Sequence, residues 1–216
     1  MKLVKTGIAG LDEFLTGGLP PIVLLLTGFP GAGNEVFARQ FAYTRAKQAG
    51  ITYFTVNSTA DSVKDNMAVY SWDITPLENS GNWKFKTLTK ATDLQETITE
   101  EMKQHRTIVI DSVSELLLAW ETKELINLLT AISRQNRNSE ECHLLLLTEG
   151  MQSPKAETAM QHFAEGVIVF TATWATDTVH TDILIKKMKG IFPPARRLPY
   201  TISKKGFLIE TATRIT

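Results

Sequence analysis

Cysteine is almost missing from this chain: Cys142 stands alone. No intrachain disulfide framework can form, and a reducing compartment is the natural setting. Cys142 precedes the apolar run Leu144 to Leu147, as a small hydrophobe in a buried strand does, with a reactive thiol as the other reading. Neither sign of charge is in surplus, with 23 Lys and Arg against 23 Asp and Glu. A dedicated duplex binder needs a basic excess to displace counterions, so nucleic acid is not an expected partner, although a local basic stripe is compatible with neutrality. No apolar run approaches the ~20 residues of a membrane-spanning helix. The start, Met1-Lys2-Leu3-Val4-Lys5-Thr6, leads into Gly and Asp and not into an apolar signal core. A soluble, cytoplasmic protein without a membrane partner is expected. His105, His143, His162 and His180 are scattered without ligand spacing, so no metal site is expected. Trp72, Trp83, Trp120 and Trp174 are expected in the core or at an interface, since no aromatic spacing suggests a base-stacking platform.

What is present is ordinary globular material. With 216 residues, 43% hydrophobic and 21% charged, the chain can bury the core of one α/β domain spanning 1–216. No linker, repeat or low-complexity segment interrupts it. Ile22 to Leu26 is a continuous apolar run, the pattern of a parallel strand covered on both faces. A helix is predicted from about Asn34 to Ala49, with Phe37, Phe41 and Thr44 on one face and Gly50 as its stop. Further strands are predicted at Ile51 to Val56, Trp83 to Leu88, Thr107 to Ile110 and Leu144 to Leu147. Helices are predicted at Thr59 to Tyr70, Asp93 to Gln104 (capped by Thr92 or Asp93) and Glu121 to Gln135. After Gly166 the rhythm becomes strand upon strand: Val167 to Phe170, Asp182 to Lys186, Pro199 to Ser203 and Phe207 to Glu210. The expected fold is a mostly parallel central sheet flanked by helices, extended by C-terminal antiparallel strands.

One turn carries chemistry. Gly28-Phe29-Pro30-Gly31-Ala32-Gly33-Asn34-Glu35 follows the first strand and opens the first long helix. Two glycines separated by four residues at that place have the spacing of a P-loop, in which backbone N–H groups and a helix N-terminus cradle phosphate. The positions that should carry Lys and Ser or Thr hold Asn34 and Glu35.

The surrounding segments resemble the KaiC-like branch of the RecA superfamily of P-loop ATPases. Thr6-Gly7-Ile8-Ala9-Gly10-Leu11-Asp12-Glu13-Phe14-Leu15 with Gly17-Gly18-Leu19-Pro20 is similar to the family's opening. Thr107 to Asp111 and Ser112 resemble its Walker B strand, and Leu147-Thr148-Glu149 its next strand end. Ile185-Lys186-Lys187-Met188-Lys189-Gly190 resembles its Lys-Met-Arg-Gly segment. Pro199-Tyr200-Thr201-Ile202 with Gly206-Phe207 resembles its closing hairpin. The resemblance covers nearly the whole chain and implies a RecA-like P-loop NTPase fold. It also implies that Gly28, Gly31, Gly33, Asn34, Glu35 and Asp111 mark the nucleotide site, and that Lys187 and Lys189 match the pair reaching a nucleotide across a subunit interface. A solvated strand face is the other reading of those two lysines.

The departures set the functional expectation. The family's pair of catalytic glutamates falls on Asn57 and Ser58, neither of which is a general base at neutral pH. Asn34 deletes one positive charge and Glu35 adds a negative one, each worth on the order of 4 kcal/mol at ~4 Å and an effective dielectric of about 20 before solvent screening. Glu35 in a first helical turn is itself favourable by about 0.3–1 kcal/mol, so it is expected to stabilise the empty loop by partly filling the anion site. Asp111 is expected to hydrogen-bond the phosphate loop in preference to holding metal. The expectation is a pseudo-ATPase acting as a homo-oligomer or as partner of a related active ATPase, with no required cofactor and weak ATP and magnesium binding. Two alternatives stand beside it. One is an ATP binder or slow ATPase using Glu35 or Asp61 as a substitute carboxylate. The other is a single-strand nucleic-acid binder using Arg196, Arg197 and the Lys187/Lys189 pair.

Overall fold

The computed structural model describes residues 2–56, 58–88, 94–137, 140–176, 178–193 and 195–210. After the short α1 (Leu11–Phe14), strands and helices alternate: β1 (Val23–Gly28), α2 (Asn34–Ala46), β2 (Ile51–Val56), α3 (Ala60–Ala68), α4 (Thr75–Asn79), β3 (Trp83–Leu88), α5 (Leu94–Lys103), β4 (Thr107–Asp111), α6 (Val113–Leu116), α7 (Thr122–Asn136), β5 (His143–Thr148) and α8 (Pro154–Phe163). Four strands close the chain: β6 (Gly166–Trp174), β7 (Val179–Met188), β8 (Leu198–Ser203) and β9 (Gly206–Ile209). They form one nine-stranded sheet in the order β3-β2-β4-β5-β1-β6-β7-β8-β9. Pairing is parallel from β3 through β6 and antiparallel from β6 to β9. The expected α/β architecture is what the chain adopts.

The continuous apolar strands follow from burial on both faces. In β1, Leu24 and Leu26 pack into a core beneath α2 with Phe37, Phe41 and Phe170. Val23 and Leu25 face the opposite core, built with α5, α7 and α8 through Ile98, Leu125, Leu129 and Met160. Side chains in successive strand positions point to opposite faces, so a strand covered on both sides has no polar positions to show.

Several boundaries differ from those read in the sequence. The helix after the phosphate loop ends at Ala46, three residues short of Ala49. The strands after Gly166 are longer than predicted, because β6 and β7 run to Trp174 and Val179 beyond the helical layers, where polar and apolar residues no longer report burial. Helix α8 has no counterpart among the predicted elements. It is nonetheless well signalled: the Ser153 side chain accepts from the Ala156 N–H at 3.3 Å, and proline opens the helix. The proposed cap at Thr92 or Asp93 lies outside the described residues. Trp83 and Trp72 are buried, whereas Trp174 is 64% exposed at the β6–β7 tip and not core. Cys142 is fully buried, and burial pushes its thiol up to about 12, which removes the reactive-thiol reading. Among the described residues, no helix is long and apolar enough to cross a membrane.

The edge strand β3 carries Lys84 and Lys86, which reach Glu101 of α5 at 3.8 and 2.8 Å. Arg106 meets the same carboxylate at 3.3 Å, and Thr52 donates to it at 2.8 Å.

His143 is buried at the start of β5. Its Nδ1 accepts from the Ile108 N–H at 3.0 Å, which places the ring proton on Nε2, 2.9 Å from Asn136 Oδ1. Burial lowers its pKa from 6.5 to about 3. The unfolded chain therefore binds a proton that the folded chain refuses, and this contribution is fully present above pH 6.5 and shrinks as pH falls toward 3. Urea denaturation is expected to show a loss of about 2 kcal/mol from this group between pH 7 and pH 5. The His143→Gln variant should lose less over the same range; an identical pH slope would disprove the assignment.

Candidate functional site

The sheet brings the loop, α2 and the end of β4 together at the C-terminal edge of its parallel strands. That is where open α/β sheets place their sites. One strand, β5, lies between β1, which leads into the loop, and β4, which ends at Asp111. Gly31 and Gly33 adopt φ of +83° and +82°, a left-handed conformation that explains glycine at both positions. The Ala32 N–H donates to the Phe29 carbonyl at 3.0 Å and closes the turn. The Glu149 N–H donates to the Gly28 carbonyl at 2.9 Å, tying the end of β5 to the loop's first residue.

The loop is divided in its exposure. Phe29, Pro30 and Gly31 face solvent, whereas Ala32, Gly33 and Asn34 are buried. Asn34 is 3% exposed, and its Oδ1 has no hydrogen-bonding partner among the described residues. Glu35 is half-buried. No hydrogen bond from a loop N–H to its carboxylate is present among the described residues. Its charge helps push the Tyr200 phenol up.

Asp111 closes β4, and its neighbours differ from those expected. Arg39 of α2 places Nη2 3.2 Å from Asp111 Oδ2, and the Tyr53 hydroxyl donates to the same oxygen at 2.7 Å. The peptide bond that follows, Asp111–Ser112, is cis. Burial opposes the Arg39 charge, but Tyr53 and Asp111 outweigh it and raise its pKa further. Burial, reinforced by Asp111 and opposed by Arg39, holds the Tyr53 phenol well above its ordinary value, so it stays a donor. Both Asp111 contacts go to side chains of α2 and β2, not to the phosphate-loop backbone.

Lys187 and Lys189 sit elsewhere. Lys187 pairs with Val167, which pairs with Leu25, three ladder steps below Gly28 and so about 10 Å toward the other end of the sheet. Its Nζ donates to the carbonyls of His162 and Ala164 at 2.7 and 2.6 Å, satisfying the end of α8, and Lys189 pairs with Glu165 at 2.7 Å. Neither reaches the loop of its own chain. Arg197 is held by Asp182 at 2.7 Å, and Arg196 lies over the Phe14 ring. Ser58 is half-buried beyond β2, Asp61 is exposed in the first turn of α3, and Asn57 lies outside the described residues. Among the described residues no group of three or more His, Cys, Asp or Glu could hold a metal ion.

Three side chains at this site were not singled out by the sequence: Arg39, Tyr53 and Tyr200. Arg39 had a signal, an arginine one helical turn after Glu35 on a helix otherwise turning Phe37, Ala38, Phe41 and Ala42 inward. Tyr53 had none, since a tyrosine in an apolar strand reads as core, and Tyr200 entered only through the closing-hairpin resemblance.

With this geometry, the comparison with known proteins is direct. The profile of the family described as "ATPase: KaiC" matches residues 4–214. The chain belongs to the KaiC family. Relatives of this KaiC-family chain include the UPF0273 protein of Thermotoga maritima, 28% identical, with 97% of this chain and 96% of the relative covered. A UPF0273 protein of Pyrococcus horikoshii is 29% identical over 96% of this chain and 94% of its own length. The crystal structure of a KaiC-like protein from Pyrococcus horikoshii superposes with a TM-score of 0.82 at 23% identity, covering 96% of this chain and 98% of that one, which shows a shared fold.

The Arg39–Asp111 pair is a partly buried ion pair, so removing one partner strands the other charge. Asp111→Leu is expected to cost about 3 kcal/mol in urea unfolding, and the double variant Arg39→Met/Asp111→Leu much less than the sum of the two single changes. Strictly additive losses would show that the two groups are not coupled.

Proposed function

We propose that this KaiC-family protein does not hydrolyse ATP and acts through protein contacts, as a homo-oligomer or as the partner of an active relative. The observation that carries the reading is the occupation of Asp111. An aspartate that orients magnesium must offer its oxygens to the metal's water shell. Here a guanidinium and a phenol take Oδ2, and the guanidinium supplies the positive charge that a metal would.

The rest of the loop supports the same reading. Asn34 and Glu35 stand where the family has a lysine and a metal-binding hydroxyl, so the cradle lacks the two groups that answer triphosphate charge. Ser58 offers a hydroxyl where a carboxylate would activate water. The residues present do not fit magnesium–ATP, and no hydrolytic step is derived through it. What survives is the scaffold: the sheet, the loop and the α2 junction, all built into a protein that presents Phe29, Met151, Trp174 and Val179 to solvent. Exposed aromatic and apolar groups are the material of protein interfaces.

Steady-state phosphate release is expected at background for the wild-type chain and for Asp111→Asn, which preserves the size and the hydrogen-bonding capacity of the site. Turnover that disappears in Asp111→Asn would sink the proposal. Light scattering of the wild-type protein is expected to show a defined assembly larger than one chain.

A further inference from the structure

The end of the sheet opposite the phosphate loop carries a cavity with a projecting ring beside it. The cavity, about 210 Å³, lies between the last turn of α7 and the segments that enter β1 and β6 and leave β7. Pro21 and Ile22 supply apolar wall, and Ser133 of α7 adds a hydroxyl that has no partner among the described residues. Sites for small-molecule ligands run to about 300–1,000 Å³, so this cavity is small for that class and has the size of a single large side chain. Its charged lining is balanced, with Arg137 and Lys189 against Glu140 and Glu165.

Gly190 closes the lining, and Phe192 stands two residues beyond it. Phe192 is 101% exposed, so its ring is left to solvent. Two residues span at most about 7 Å, which puts ring and cavity in one patch of surface. The ring is not on a loose tether. On one side Ile191 packs against the core beneath α2. On the other, Pro193 restricts the backbone of Phe192 to extended conformations. A ring presented this way loses little freedom when it is buried.

We infer that this patch is a self-association surface in which Phe192 of each copy enters the cavity of the other. Three features point to a second copy of the chain as the occupant. A two-fold contact needs one patch that both gives and receives, and here the knob stands beside the hole. The cavity has the size of a side chain. Its charges cancel, so two copies meet face to face without net repulsion, and the basic groups of one can face the acidic groups of the other. Each buried ring removes about 150–250 Å² from water, which makes the exchange the hot spot of an interface that the charged rim completes. The inference rests on the reading that the protein acts through protein contacts, and it names the surface and the partner.

Analytical ultracentrifugation of the full chain tests the exchange in wild type, Phe192→Asp, Ser133→Leu and a one-to-one mixture of the two variants. Phe192→Asp removes the knob and Ser133→Leu fills the hole, so each alone should weaken self-association by at least about tenfold. In the mixture the intact knob of Ser133→Leu meets the intact hole of Phe192→Asp, and association should recover to a level between wild type and either variant. That recovery separates the exchange from misfolding, because two damaged folds do not repair one another. Unchanged association in either variant, or no recovery on mixing two folded variants, overturns the exchange and leaves assembly through another surface standing. A wild-type chain that stays monomeric overturns both the exchange and the homo-oligomer. ATP turnover by the wild type would instead overturn the non-hydrolysing reading, with the exchange still judged by the mixture. Should Ser133→Leu fail to fold, Phe192→Ala alters only the exposed ring: it too should weaken association by about tenfold, and wild-type affinity would refute the exchange.

Discussion

A carboxylate taken out of water must find positive charge or several donors, and the arrangement around Asp111 follows from that requirement. At the end of β4 the aspartate has little solvent to lean on, with 13% of its side chain exposed. Arg39 answers it from α2 and Tyr53 from β2. The contact ties the helix that begins in the phosphate loop to two strands of the sheet. Helix α2 is in turn the surface on which Phe207 and Gln40 seat the terminal hairpin. Loop, helix, sheet and hairpin are thus held by one chain of contacts.

The charged groups at this edge are few and leave one negative charge in excess. Here Glu35 and Asp111 are the acidic groups and Arg39 the basic one, with Tyr53 and Tyr200 as protonated donors. That positive charge stands in the second turn of the helix behind the loop, beside Asp111. Lys187 and Lys189 show the same turn toward local work, capping α8 and pairing with Glu165.

Much of the fold was legible because two-sided burial writes itself as runs of apolar residues. Ile51–Val56 and Trp83–Leu88 were read to the residue, and β1 and β5 to within one or two. The loop was legible from its glycine spacing, and positive φ explains Gly31 and Gly33. What escaped was whatever depends on contacts distant in sequence. Tyr200 bonds Ala32 across 168 positions, and nothing local to Pro199-Tyr200-Thr201 distinguishes that hydroxyl from any other in a strand. Asp111 was singled out but given the wrong partners, since strand order and helix phase decide which side chains arrive beside it. Helix α8 was overlooked although Ser153 and Pro154 announce it, because its apolar stripe is short, with Ala156 and Met160 as its buried residues.

The outer strand of the sheet shows how the fold protects itself from its neighbours. Among the described residues β3 pairs with β2 alone, so its other flank presents backbone donors and acceptors to any chain that drifts past. Lys84 and Lys86 stand on that strand, each drawn to the Glu101 carboxylate. A foreign strand pairing there would strip hydration from two ammonium groups whose counter-charge is already shared with Arg106. The same lysines that fasten α5 to the sheet therefore make its rim an unwelcoming template.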